Sequence, residues 1–419
     1  MAAPSPPSGQ PPRLAAAGWL VRPEAQAVFA ALATQGFDAR AVGGAVRNTL
    51  LGRPVVDVDV ATPARPMDVI AAARAAGLTA VPTGIDHGTV TVVANHVPFE
   101  VTTLREDVES HGRHATVAFT DDWAADARRR DFTMNALYCG ADGEVFDPLG
   151  GYPDLVARRV RFIGDAAERI REDYLRILRF FRFTADCGAG PPDAQGLGAC
   201  VRERAGLARL SAERMRQEML RLLAAPRGPE LIGWMQGYGL LVDVLGVAPR
   251  PALLGRLAEV EAALGLQADP VLRLAALTVA IPEDADRLRD RLRLSNDEHA
   301  RLAAAGSSTP DIGAGVPELA AKTHLYAHGA GRYRDRILLA WAQSGDPADN
   351  ASWRERLALP DRWPPPKFPL GGADVMAVGV AAGPRVGELL RALEAWWITG
   401  GFTADEGALQ AKLRELAAA

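Results

Sequence analysis

Two aspartates separated by one valine, Asp57 and Asp59 in VVDVDVAT, are the residues whose types and spacing point most directly to chemistry. On a β-strand this spacing sets both carboxylates on one face, about 7 Å apart along the chain. Two anions held that close repel each other unless cations lie between them. A pair of Mg²⁺ ions would relieve the repulsion, activate an attacking hydroxyl and neutralise a departing pyrophosphate. Alone, such a pair is more often an exposed strand face, so its neighbours decide its meaning.

Upstream lies Gly43-Gly44-Ala45-Val46-Arg47. FDARAVGG ends as a strand and AVRNTLLG continues as a helix, so bare backbone sits at a turn where a phosphate can approach. Arg47, one turn into the helix, adds a charge-assisted contact. A third carboxylate would complete a metal site. Glu100 in VPFEVTT is the best candidate, on a strand beside the Asp57/Asp59 strand, and Asp131 in RRRDFTMNA is its rival.

Two arginine-bearing segments follow. Arg128, Arg129 and Arg130 precede Asp131 and Asn135, and their planar forks suit phosphate oxygens or base edges. In EDYLRILRFFRF, Asp173, Arg176, Arg179 and Arg182 step by three along one predicted helix, with Leu175, Leu178 and Phe181 on the buried side. An ordinary surface helix with an i,i+3 Asp–Arg pair explains part of this pattern. It leaves three unpaired arginines on one face. A carboxylate beside a guanidinium can match a nucleobase edge, while the later arginines can hold phosphates.

The elements that must position these residues divide at about residue 150. Up to there, FDARAVGG, VVDVDVAT, GTVTVVA and VPFEVTTLR read as strands, with PEAQAVFAALATQ and PMDVIAAARAAG as helices between them. That alternation predicts a head with one sheet. From about residue 151 the strand signals nearly vanish and amphipathic helices take over, with Ser211 a helix cap and Pro226 just beyond that helix's end. Joints are expected at SGDPADN and DRWPPPKFPLGG.

At 419 residues the chain is long enough for two to four domains. Its apolar stretches are broken well short of the roughly 20 residues a bilayer needs, which argues against a membrane protein. The Pro/Ala/Ser-rich start lacks the charge and apolar run of a secretory signal and is expected to be a disordered arm over residues 1–20. Cys139, Cys187 and Cys200 show no paired spacing, which favours a reducing, cytoplasmic setting over structural zinc. The histidines are scattered; His111 and His114 are expected in a solvated polar loop. A net charge of −4 does not announce a nucleic-acid binder, but a local basic surface would suffice.

Taken together, GGAVRNTLLGRPVVDVDVAT, RRRDFTMNALY and EDYLRILRFFRF resemble the class II tRNA nucleotidyltransferase and bacterial poly(A) polymerase family, within the DNA polymerase β-like nucleotidyltransferase superfamily. LSAERMRQEML and FPLGGADVMAVGVAAGPRVGELL extend the resemblance over nearly the whole chain. It implies an α+β fold: a head with a mixed or antiparallel sheet over 21–150, then an all-α neck (151–225), body (226–345) and tRNA-binding tail (346–419). Asp57 and Asp59 would bind two Mg²⁺ ions, with Glu100 completing the catalytic carboxylates. Gly43, Gly44, Arg47, Arg130, Asp131 and Asn135 would belong to the nucleotide site. Asp173 and Arg176 would read the incoming base, with Glu172, Arg179 and Arg182 beside them.

The implied activity is addition of cytidine, cytidine and adenosine to tRNA 3′ ends from CTP and ATP. The partner would be the tRNA acceptor stem and elbow. Polyadenylation, or CC-only or A-only addition, is the alternative; PTGIDHGTVTVV and the polar segment LREDVESHGRHATVAFTDDWAADA, in the place of a flexible specificity element, favour the full activity. Asn48 departs from the family's usual Asp, which puts any role in orienting Arg47 in doubt. No His-Asp doublet marks an accessory hydrolase. An RNA-binding module without catalysis, or a transferase acting on a protein or small molecule, are the rivals from other classes; the intact Asp57/Asp59 pair and the Asp173–Arg182 stripe argue against them.

Overall fold

The computed structural model describes residues 9–111, 114–307 and 312–418, without the side chains of 107–117. The chain forms two compact units, Met1–Gly246 and Val247–Ala419. The division falls later than the expected neck-to-body boundary at 225, so the helices between 228 and 245 belong to the first unit.

The first unit begins with α1 (Pro23–Thr34), β1 (Arg40–Val42), α2 (Gly44–Leu50), β2 (Asp59–Thr62) and α3 (Pro66–Ala75). β3 (Thr79–Gly84), β4 (Thr89–Ala94), β5 (Val97–Thr103), β6 (Arg105–His111) and β7 (His114–Phe119) follow. α4 (Trp123–Arg128), β8 (Tyr138–Gly140) and β9 (Val145–Phe146) complete the sheet region. The seven-stranded sheet runs β3-β4-β5-β2-β1-β8-β9, with β2–β5 its parallel pair and its other neighbours antiparallel. The alternation predicted one such sheet, and the family resemblance a mixed or antiparallel one. β6 and β7 pair separately as a hairpin. The segment expected as a polar loop around His111 and His114 is thus strand at backbone level; what those side chains do lies outside the described residues.

Local chemistry explains the turns that matter. Asn95 and His96 both have positive φ and join β4 to β5 in a two-residue hairpin, the conformation that matches strand twist. Pro23 and Pro66 open α1 and α3 at positions where a missing N–H costs nothing.

Part of the segment expected as a disordered arm is packed against the protein. Residues 1–8 lie outside the described residues, but Leu14, Trp19 and Leu20 are buried. The Leu14 N–H donates to Gly143 O at 2.7 Å and Trp19 Nε1 to Thr49 Oγ1 at 2.7 Å. Three apolar side chains within seven residues outweigh the Pro/Ala/Ser composition that suggested disorder.

Helices then take over: α5 (Tyr152–Val156), α6 (Ala166–Glu172), α7 (Leu175–Cys187), α8 (Ala194–Arg202), α9 (Ala212–Ala224), α10 (Gly228–Gly237) and α11 (Leu240–Leu245). Ser211 caps α9 as expected, and the helix ends just before Pro226. Phe132, between α4 and β8, packs on Phe162 (ring centroids 4.9 Å) and Phe183 (5.3 Å), and Phe162 stacks on Phe180 (5.5 Å). This aromatic core fixes α7 against the end of the sheet region.

The second unit is helical: α12 (Pro251–Leu264), α13 (Pro270–Thr278), α14 (Pro282–Leu292), α15 (Asn296–Gly306), α16 (Glu318–Ser344), α17 (Ala351–Leu357), α18 (Leu359–Arg362), α19 (Gly372–Ala377), α20 (Pro384–Thr399) and α21 (Glu406–Ala418). One core gathers Trp341, Trp353, Tyr333 and Leu257; another gathers Leu389, Leu393, Trp397, Leu409 and Leu413. Among the described residues no helix is long and apolar enough to cross a membrane.

Candidate active site

Asp59 opens β2 and pairs in parallel register with Glu100 on β5, so adjacent strands present the two carboxylates side by side. Asp57 lies just before the strand, not within it, and is exposed. Partial burial raises the Asp59 pKa, Glu100 adds to the rise, Arg130 opposes it and Asp57 adds again. Glu100 and, more weakly, Asp57 thus add to the negative potential at Asp59, with Arg130 working against it. Asp131, the rival third carboxylate, is otherwise engaged. Its Oδ2 accepts from Arg179 Nε and Nη2 (2.9 and 2.6 Å), and its Oδ1 from Phe132 N and Asn135 Nδ2 (both 2.9 Å).

Beside this edge lies a cavity of about 530 Å³, lined by Gly43, Gly44, Arg47, Arg130, Asp131, Asn135, Asp173, Leu175, Arg176, Arg179, Arg182, Phe183, Arg214 and Arg221. Every nucleotide-site residue expected from sequence lines it except Glu172. Seven arginines against two aspartates give it the charge and size for a nucleoside triphosphate. Gly43, at φ 69°, makes the strand-to-helix turn in a conformation that disfavours any side chain.

Six of the seven arginines, all but Arg221, are held by partners among the described residues. Arg47 is buried; its Nη1 donates to Asn135 Oδ1 at 2.6 Å, and its Nη2 and Nε to Asn48 Oδ1 at 2.9 and 3.2 Å. Asn48 thus does orient Arg47, because a neutral amide oxygen accepts those bonds as a carboxylate would. Arg130 donates to Asp126 Oδ2 (Nη2, 2.9 Å) and Tyr138 Oη (Nε, 3.2 Å). Burial works against the Arg130 charge, but Asp126 and Tyr138 more than offset it and hold its pKa above the ordinary value.

The Asp173–Arg182 stripe differs from expectation in two ways. The helix is not continuous: α6 ends at Glu172, Asp173 is extended (φ −153°, ψ 104°), and α7 begins at Leu175. Asp173 sits at this elbow, its Oδ1 accepting from the Leu175 N–H at 3.1 Å and its Oδ2 from Arg214 Nη2 at 2.7 Å. It does not pair with Arg176. Nor are the three arginines unpaired. Arg176 Nη1 meets Glu172 Oε2 at 2.5 Å, Arg179 meets Asp131, and Arg182 Nε meets Glu218 Oε2 at 2.5 Å. Glu172 is therefore a clamp behind the cavity rather than part of its wall.

Five contributors were not among the sequence candidates: Phe183, Arg214, Arg221, Glu218 and Asp126. Arg47, Arg179 and Arg182 stand 5.1, 5.2 and 4.0 Å from the Phe183 ring centroid, so one aromatic face gathers three guanidinium groups. The third phenylalanine in FFRF, polar-side in phase with the arginines, was the available signal. The buried Glu218 takes Arg182 from α9, 36 residues away, and no local pattern reports that.

The sheet, the acidic edge and the arginine cavity together define a nucleotidyltransferase head followed by the α6–α7 helices. Residues 39–161 match the poly A polymerase head domain family. The mitochondrial CCA tRNA nucleotidyltransferase 1 of Mus musculus is 33% identical over 401 residues, covering 91% of this chain and 88% of the relative. The CCA-adding enzyme of Geobacillus stearothermophilus is 34% identical over 383 residues, covering 88% and 91%. The crystal structure of the Bacillus stearothermophilus CCA-adding enzyme in complex with CTP superposes with a TM-score of 0.74 at 31% identity, covering 94% of this chain and 98% of that one. The chain belongs to the CCA tRNA nucleotidyltransferase family.

Proposed function

We propose that this chain adds CMP, CMP and AMP in turn to tRNA 3′ ends, with Asp57, Asp59 and Glu100 as its catalytic carboxylates. The observation that carries the reading is the arginine-rich cavity, bounded by the Asp173 elbow and lying beside the Asp59–Glu100 edge.

The raised Asp59 pKa marks charge that a divalent cation would relieve, so the donor set fits Mg²⁺. Among the described residues no three acidic, histidine or cysteine side chains are gathered into a ready-made cage. That suits Mg²⁺, which keeps waters and takes one or two carboxylates together with substrate phosphates. Asp57 and Asp59 would hold it, and when bound it supplies Lewis-acid stabilisation of the phosphates and a more acidic 3′-hydroxyl.

The protein's own groups do the rest. Arg47, Arg130, Arg179 and Arg182 bind and orient the triphosphate. Asp173 keeps lone pairs beyond those given to Leu175 and Arg214, and Arg176 keeps donors beyond Nη1. An acceptor beside a donor suits cytosine N4 and adenine N6, both amine donors, and opposes guanine O6 and uracil O4. That logic admits CTP and ATP without a template. We carry head, neck, body and tail as the functional division, the tail meeting the tRNA elbow, and place the work in a reducing compartment such as the cytoplasm. Three free, buried cysteines support the last point.

The test incubates the protein, Mg²⁺ and tRNA ending at the discriminator base with CTP, ATP or both. Stepwise addition of three nucleotides is expected; long A-tails from ATP alone would replace this reading with polyadenylation. Asp57→Ala should abolish incorporation. Asp173→Ala should let UTP and GTP compete, and unchanged selectivity would remove Asp173 from base reading.

A further inference from the structure

A second cavity, of about 60 Å³, lies wholly within the second unit, between α13, α15 and α16. Val271, Leu272 and Ala275 of α13 form an apolar wall. Its polar wall is a run of residues four apart on α16: His324, His328, Arg332 and Arg336. Gly329, with φ 77° and ψ 168°, breaks α16 in the middle of that run, so the two histidines end one helical stretch and the two arginines begin the next. The sequence reading took the histidines as scattered, yet the His324 and His328 ring centroids are 4.5 Å apart.

We propose that this cavity binds a phosphoryl group. The charge distribution selects an anion. Among the described residues the one carboxylate in the lining, Asp335, is taken by Arg301, whose Nε and Nη2 donate to it at 2.9 and 3.0 Å. Arg301 also bonds Asp269 at 2.8 Å, so its own charge is balanced. Arg332 makes no ion pair among the described residues, and Arg336 donates to the carbonyls of Ala304 and Ala305 at 3.3 and 3.2 Å. Nδ1 of His324 is buried with no hydrogen-bond partner among the described residues, a costly state that an oxyanion accepting its N–H would relieve. Two imidazoles one turn apart would otherwise suit a divalent cation, but Arg332 on the same wall repels one. Burial, His328 and Arg336 together lower the His324 pKa to about 4, so the ring is neutral and free to donate from either nitrogen. Size narrows the ligand further. At about 10–15 Å³ per water on this measure, the cavity holds the equivalent of a few waters, the room a tetrahedral oxyanion needs.

The phosphoryl group has two sources, a free phosphate or the backbone of a bound RNA, and one set of measurements separates them. The imidazole resonances of the full-length protein are followed by NMR while orthophosphate is titrated at constant ionic strength against chloride. The His324 signal should shift saturably with orthophosphate and not with chloride. Arg332→Glu, an exposed substitution at the mouth, should weaken orthophosphate at least about tenfold, the scale of one lost charge-assisted contact. His324→Leu, checked for an unchanged melting temperature, should do the same. If RNA supplies the group, tRNA displaces orthophosphate from the His324 signal, and Arg332→Glu raises the KM for tRNA with that for CTP unchanged. If the ligand is free phosphate, tRNA leaves both the signal and its own KM untouched. A His324 signal that does not saturate, responds equally to chloride, or keeps its phosphate affinity in Arg332→Glu overturns the proposal.

Discussion

Asp126, buried beneath the cavity, sets the charge of the arginines above it. It accepts from Arg129 Nε at 2.8 Å, Arg130 Nη2 at 2.9 Å and Tyr138 Oη at 2.7 Å. Burial alone would raise its pKa, but Arg130, Arg129 and Tyr138 prevail and lower it from 3.8 to about 2. A carboxyl so depressed in the folded state stabilises the fold above its unfolded pKa, and the contribution is lost as pH falls through the folded value. The linked stability is about 2 kcal/mol, present at neutral pH and lost from about pH 4 down to pH 2. Asp126→Asn should therefore be less stable than wild type in urea unfolding at pH 7, with the gap closing as pH falls below 4. A gap that stays constant to pH 2.5 would remove the charge from the account. Asn48 acts on Arg47 in a similar way. Asn48→Ala takes away the acceptor of two guanidinium bonds and should raise the KM for CTP about tenfold, as expected for a lost hydrogen bond to a charged group. Asn48→Asp should restore or improve it, and steady-state kinetics on both variants decides the point.

The α6–α7 elbow shows what an element-level argument adds. EDYLRILRFFRF carries neither Pro nor Gly, and its apolar spacing reads as one helix. The break comes from Asp173 capping Leu175 while reaching Arg214, a residue 41 positions away. Patterns of period two and 3.6 made β1, β2, β4, β5 and most helices legible, and with them the placing of Asp59 beside Glu100. Partners such as Glu218 and Arg214 were not legible as such, because a side chain that bonds across tens of residues leaves no periodic trace. Gly206 packs against the same elbow. A Cβ built on it would lie 1.9 Å from the Tyr174 ring, the residue directly after Asp173. Gly206→Ala must displace that ring. It should lower the melting temperature by several degrees, on the overpacking scale of about 1–3 kcal/mol. It should also relax discrimination against UTP and GTP, because the elbow carries Asp173. Lost stability with selectivity unchanged would mean the elbow holds its shape without Tyr174.

For the whole molecule, the cavity's side chains run from Gly43 to Arg221 and so belong entirely to the unit Met1–Gly246. That unit has its own sheet and aromatic core, and among the described residues none beyond 246 lines the cavity. Nucleotide binding and RNA binding should then come apart on truncation. RNA of folded shape is gripped through phosphates and 2′-hydroxyls over a wide surface, and each phosphate contact adds to the salt dependence of binding. A fragment of residues 1–246, shown to be folded by circular dichroism, should bind CTP within about threefold of the full chain, since the described residues that line the cavity are all retained. Its tRNA KM should rise by orders of magnitude, and the slope of log KM against log salt should flatten as phosphate contacts are lost. If the folded fragment instead keeps the full chain's tRNA KM and salt slope, the helices after 246 take no part in holding RNA, and the head and neck alone must grip the acceptor end.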